Sequence, residues 1–94
     1  MELAVVVGQV VSTIKCSGFE GDRLLLIDFI DPAGKPRGSP HVAADGIGAG
    51  TGEWVLVVQG SSARKTLGDE VPVDMSVVGI VDEVVVGQQV VYHK

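Results

Sequence analysis

An all-β fold is the prediction for this 94-residue chain, and three observations make it. Its apolar content is dominated by valine, which is stiff at χ1 and packs better on a pleated surface than along a helix. The apolar residues fall into short runs, LAVVVGQVV, LLLIDFI, WVLVVQ and MSVVGIVDEVVV, broken by clusters of Gly, Pro, Ser and Asp. A helix cap between two such runs is offered only after Gly60.

Residues 3–15 read as a long first strand whose unbroken valines predict apolar contact on both faces, with a bend or bulge at Gly8. Residues 16–22 are a turn region. In a second strand over 23–31, Leu25, Ile27 and Phe29 share a core face, while Leu24, Leu26 and Ile30, interrupted by Asp28, share a partly wet one. Asp31-Pro32-Ala33-Gly34 then makes a reverse turn with proline preset for its second position.

A polar loop over 35–40 leads to a short strand over 41–45, followed by the glycine-rich loop Gly48-Ala49-Gly50-Thr51-Gly52. Residues 54–59 form the next strand, with Trp54, Leu56 and Val58 on one side. Ser61 or Ser62 caps a single helical turn that ends near Gly68. Beyond Val71-Pro72-Val73-Asp74, residues 75–86 read as one long strand with Gly79 in its middle, and Gly87-Gln88-Gln89 turns the chain into a closing strand over 90–93. VVVGQVV and VVVGQQVV are not repeats, since the first glycine lies inside a strand and the second at a turn. Five or six strands with one helical turn fit a small five-stranded Greek-key barrel of the OB type, with a C-terminal hairpin, better than a sandwich.

The length predicts one domain over residues 1–94, burying roughly 60–65% of its unfolded surface. Hydrophobic residues make up 46% of the chain, yet its aromatics are only Phe19, Phe29, Trp54 and Tyr92, so the surplus is branched aliphatic. A dense core is the plainer account; closure of part of that surface against other copies of the chain is the sharper one. A net charge of −5 and a pI near 4.7 oppose contact with phosphate backbones and anionic lipid, so neither nucleic acid nor a membrane is an expected partner. The lone Cys16 cannot form an intrachain disulfide and suits a reducing compartment. Glu2 stands where a signal peptide carries positive charge, and no apolar run approaches the roughly 18 residues of a membrane span, so a soluble cytoplasmic protein is expected.

No catalytic constellation is expected. The glycines are spaced G-x-G-x-G rather than G-x-G-x-x-G, a strand rather than a helix follows them, and Glu53 puts negative charge where a pyrophosphate would sit. Residues 60–64 lack the G-x-S-x-G nucleophile elbow, and neither His41 nor His93 stands in a triad context. The two histidines and one cysteine have no zinc spacing, and Asp82 and Glu83 point to opposite faces of a strand. No cofactor or metal is expected. Single-stranded nucleic acid, the usual ligand question for this barrel, needs a basic groove and stacking aromatics that the chain lacks.

Ile47-Gly48-Ala49-Gly50 through Glu53-Trp54-Val55-Leu56-Val57, then Gly60-Ser61-Ser62-Ala63-Arg64, resembles the signature of the EutN/CcmL family of bacterial microcompartment vertex proteins. The likeness extends through Leu3-Ala4-Val5-Val6-Val7-Gly8-Gln9, Leu24-Leu25, Ala43-Ala44-Asp45, Pro72-Val73-Asp74 and Gly79-Ile80-Val81-Asp82-Glu83-Val84, and it is nearer the ethanolamine-utilisation type than the carboxysome type. Gly46 departs from the pattern, which more often has a side chain there. The resemblance implies a five-stranded OB-like barrel, a cyclic homopentamer capping shell vertices in the bacterial cytoplasm, and hexameric shell proteins as partners. Pore or subunit-interface candidates are Gly48, Ala49, Gly50, Thr51, Gly52, Glu53, Ser61, Ser62 and Arg64, with Glu53 and Arg64 available for polar contacts between subunits. The competing class is a small OB-type module binding a ligand or oligonucleotide, expected as a monomer or dimer.

Overall fold

The structure, a computed structural model, describes residues 1–12, 23–60 and 74–94. These hold seven strands: β1 (Glu2–Val10), β2 (Arg23–Phe29), β3 (His41–Asp45), β4 (Trp54–Gln59), β5 (Met75–Ile80), β6 (Glu83–Val86) and β7 (Gln89–His93). Five close a barrel in the order β1-β2-β3-β5-β4, while β6 and β7 form a separate two-stranded sheet. Within the barrel only β3 and β5 pair parallel. This is the predicted all-β barrel with its C-terminal hairpin. No helix occurs among the described residues; the helical turn predicted after Gly60 lies outside them, as do Cys16 and the turn around it.

Strand alternation builds the core. Leu25, Ile27 and Phe29 of β2 point inward as predicted and meet Ala4 and Val6 of β1, Ala43 of β3, Val55 and Val57 of β4 and Val77 of β5. Two register shifts bend the wall. Val6 pairs with Ile27 but Gly8 with Leu26, so Val7 is the extra residue of a bulge at the glycine the sequence marked. Leu56 pairs with Gly79 but Val57 with Val77, which leaves Val78 as the extra residue in β5.

Beyond shifts of one or two residues at other strand ends, two strand boundaries differ from the sequence prediction. The first strand ends at Val10 because its last rung, Val10 with Leu24, lies at the start of β2; Val11 beyond it is 82% exposed. The apolar run over 75–86 divides into two strands because its partner β4 begins at Trp54. Ile80 makes the last rung with Val55, the Val81 amide donates to the Trp54 carbonyl at 2.8 Å, and the chain bends at Asp82 to pair with β7 instead.

The turn after β2 forms as expected. Gly34 donates its amide to the Asp31 carbonyl at 2.9 Å, and the Asp31 carboxylate accepts the amides of Ala33 and Lys35 at 2.9 Å each. Trp54, large enough for a barrel core, lies half-buried on the outer wall, because Val55 and Val57 occupy the inward positions of β4. Gly34 adopts φ +88, and a Cβ there would stand 3.0 Å from Trp54 Cζ2, so the turn closes onto the indole only where a side chain is missing. The surplus aliphatic surface is visible on the outside. Val7, Val42, Ile47, Val85, Val86, Val90 and Val91 are each at least 40% exposed.

Candidate functional site

The glycine-rich loop is held from both ends by carboxylates. At its start Asp45, the last residue of β3, is 3% exposed; its Oδ1 accepts the amides of Ile47 at 2.9 Å and Gly48 at 3.2 Å, and its Oδ2 that of Ala49 at 2.8 Å. An aspartate closing onto its own downstream amides is a local turn device, and here it also satisfies a buried charge. Arg23 Nη1 stands 3.6 Å from Oδ2 and supplies the countercharge from β2.

Glu53 closes the other end. Its amide donates to the Gly50 carbonyl at 3.1 Å while its Oε1 accepts the Gly50 amide at 2.6 Å. Gly52, with φ +90, takes the third position of that turn, where positive φ is required. The turn is joined to β1 on its far side: Gly52 donates to the Val6 carbonyl at 2.8 Å and Val6 donates to the Glu53 carbonyl at 2.9 Å. Between the two anchors Ala49 is fully buried and belongs to the barrel core. The loop thus turns one methyl inward and leaves Gly48, Thr51 and Gly52 exposed. A Cβ at Gly48 or Gly52 would meet nothing within 4 Å, so this surface is flush backbone open to whatever approaches it.

A second layer ties the loop to the end of the chain. Glu53 Oε2 forms a 2.8 Å ion pair with Lys94 Nζ. The Lys94 hydrogen bond, aided by the Gly50 amide, holds the Glu53 carboxyl below its ordinary range, and Glu53 in turn raises the Lys94 ammonium. One residue along, the Trp54 indole stacks on Tyr92 with ring centroids 3.9 Å apart and planes 12° from parallel. The Lys94 amide donates to the Asp82 carbonyl at 2.9 Å. The base of the hairpin is therefore clamped to the loop and to the first residue of β4.

Of the predicted site residues, the structure brings Gly48, Ala49, Gly50, Thr51, Gly52 and Glu53 together, with both Glu53 oxygens engaged inside the chain. Ser61, Ser62 and Arg64 lie outside the described residues. Sequence reasoning pairs neither Asp45 nor Lys94 with the loop, nor Tyr92 with Trp54. For Asp45 a signal existed, an Asx residue directly before a glycine turn; nothing in the sequence pairs Lys94 with Glu53. His41 packs its ring against Phe29 at 5.1 Å, and His93 Nε2 stands 4.0 Å from Glu83, so the two histidines are apart. Among the described residues no group of three His, Cys, Asp or Glu could hold a metal ion, and no helix is long and apolar enough to cross a membrane.

Comparison with known proteins identifies this architecture. The family model described as ethanolamine utilisation protein EutN/carboxysome matches residues 1–82. The bacterial microcompartment shell vertex protein EutN of Escherichia coli K12 is 58% identical over 95 residues, covering all of both chains. A solved ethanolamine utilization protein EutN superposes with a TM-score of 0.95 at 57% identity, covering 100% of this chain and 99% of that one. The pentameric microcompartment shell protein GrpN from Rhodospirillum rubrum superposes with a TM-score of 0.84 at 43% identity, covering 92% of this chain and 99% of that one. With the family model matched over residues 1–82 and relatives matched along the whole chain, the protein belongs to the EutN/CcmL family, a family of structural shell vertex proteins and not of enzymes.

Proposed function

We propose that the chain is a structural shell protein that assembles as a cyclic homopentamer and caps the vertices of a bacterial microcompartment in the cytoplasm. The observation that carries this reading is the 0.95 TM-score to EutN over the whole chain, beside a family relative solved as a pentameric shell protein. The physical logic agrees with it. A flat hexagonal layer closes into a polyhedron only through five-fold defects, and a head-to-tail ring whose rotation closes supplies one. Hexameric shell proteins are then the neighbours of each vertex.

The glycine loop fits this role as a surface of close approach. Gly48 and Gly52 present bare backbone, and the loop is held rigidly by Asp45 and Glu53 rather than left to adapt. In this reading residues 48–52 face the five-fold axis or the adjoining subunit, and Ser61, Ser62 and Arg64 stay candidates for the same interface. Glu53, already paired with Lys94, shapes the loop first and contributes between subunits only through that pair.

Native mass spectrometry at micromolar concentration tests the ring. The expected species is five times the 9.8 kDa chain; a lone monomer overturns the reading. Gly50→Val tests the loop, because Gly50 avoids positive φ and a Cβ there meets only Glu53 Oε1, at 3.4 Å. An unchanged pentamer mass with unchanged shell closure removes the loop from the assembly surface.

A further inference from the structure

Asp45 is followed directly by Gly46, and that pair can rearrange chemically. A backbone amide can attack the carboxyl group of the aspartate before it, a reaction that any side chain on the attacking residue hinders and that glycine leaves open. The chain has this one Asp-Gly step and no asparagine, and every other aspartate precedes a bulkier residue. Residues 45–46 are therefore the place where an isoaspartyl link forms most readily.

The step balances without a co-reactant other than water. The Gly46 nitrogen bonds to Asp45 Cγ, the amide proton and the carboxyl hydroxyl leave as water, and a five-membered succinimide results. Water then opens the ring. When it adds at the main-chain carbonyl, the original peptide bond breaks and the chain continues through Cγ, with the former main-chain carbonyl now a free carboxylate. Nothing is oxidised or reduced, and the mass returns to its starting value.

The fold opposes this reaction in three ways. Asp45 is paired on both sides, with Arg23 of β2 and Val77 of β5, so its backbone is held extended, whereas closing the succinimide requires ψ to turn away from the strand range. Its two carboxyl oxygens are committed to the amides of Ile47, Gly48 and Ala49. The residue is also 3% exposed, which keeps out the water that opens the ring. We infer that Asp45-Gly46 is an isomerisation site gated by the fold: it reacts only when β3 is unpaired and the loop anchor undone, and once it has reacted the chain no longer regains its native stability. An isoaspartyl link adds a methylene to the backbone at a strand position paired on both sides, and it moves the carboxylate away from the three amides it anchors. The modification thus marks chains that have stayed open and spares those that have folded. This inference is independent of the ring.

The test ages the full chain in warm neutral buffer, folded and in guanidinium chloride, and counts isoaspartate with an isoaspartyl methyltransferase and labelled S-adenosylmethionine. Electron-transfer fragmentation locates it. The folded chain is expected to accumulate isoaspartate at least about tenfold more slowly than the unfolded one, because the reaction follows the open fraction. Gly46→Ala, measured in denaturant where its own folding is immaterial, is expected to suppress it. Val77→Ala, which weakens the pairing of β3 without changing the reacting residues, is expected to raise accumulation in native buffer and leave the rate in denaturant unchanged. Isomerised chain, separated chromatographically and refolded, is expected to have an unfolded fraction at least about tenfold above that of unaged chain. Equal rates in folded and unfolded chains overturn the gating. Isoaspartate at another residue, or none in denaturant, overturns the site, and an isomerised chain as stable as the original overturns the loss of stability.

Discussion

Trp54, the first residue of β4, and Tyr92, near the end of β7, lie face to face at 3.9 Å, joining the hairpin to the barrel through their rings. An aromatic pair contributes about 0.5–1.5 kcal/mol beyond the area it buries. Tyr92→Ala should therefore lower the unfolding free energy by about 2 kcal/mol and abolish the near-ultraviolet exciton signal of the pair. Tyr92→Phe keeps the stack and should change both by little. Urea unfolding at fixed protein concentration, followed by the single tryptophan, measures the difference.

Asp45 should be the most sensitive polar position in the described barrel. Its carboxylate accepts three amides and faces Arg23, so Asp45→Ala strands three loop donors and one cation. The expected loss is about 2–4 kcal/mol. Asp45→Asn keeps one acceptor oxygen and should lose about half as much. Equal losses in the two variants would show that the charge, not the acceptor geometry, organises the loop.

Acid should loosen the loop before the barrel. The Glu53 carboxyl is held below its ordinary value of 4.5, chiefly by Lys94, so its contribution is present above that value and lost as pH falls through the lowered one. Lys94, raised above 10.5 by Glu53, contributes fully below that value and loses its share as pH climbs through the raised one. Between those limits the pair is fully charged. Thermal unfolding of the wild type should fall off at both ends of the range; Glu53→Gln and Lys94→Ala should each remove this pair's part of both slopes, as should high salt.

Two glycines separate backbone strain from contact. Gly34 and Gly38 have nearly the same φ, +88 and +94, but only at Gly34 does a Cβ meet the indole, 3.0 Å from Trp54 Cζ2. Gly38→Ala should cost about 1–2 kcal/mol, the strain alone. Gly34→Ala should cost about 1–2 kcal/mol more and shift Trp54 emission, since the ring must move. Equal losses would mean the indole yields freely.

Much of this architecture is written in period and punctuation. Leu25, Ile27 and Phe29 alternate inward because only that face of β2 is uniformly apolar, and Gly8 marks the bulge because a glycine interrupts an otherwise valine-rich run. The sequence is silent where the deciding fact is a partner. Residues 75–86 carry valines on both sides of Val81, with only Asp82-Glu83 to interrupt them, and the place of the break depends on where β4 begins. Trp54 looks like core by size, yet its side of the wall follows from Val55 and Val57 taking the inner positions. In the loop the glycines were legible and their fasteners were not, since Lys94 reaches Glu53 only after the hairpin has folded back.

The parallel seam between β3 and β5 is the shortest ladder in the barrel, two rungs, Ala44 with Ser76 and Asp45 with Val77. It joins segments far apart in the chain, so its loop-closure entropy is recovered only when the rest of the cylinder stands. Asp45 is both the last rung of that seam and the anchor of the glycine loop. Closing the cylinder and shaping the loop are thus coupled through one residue, and an unfinished barrel leaves the loop without its Asp45 anchor in place.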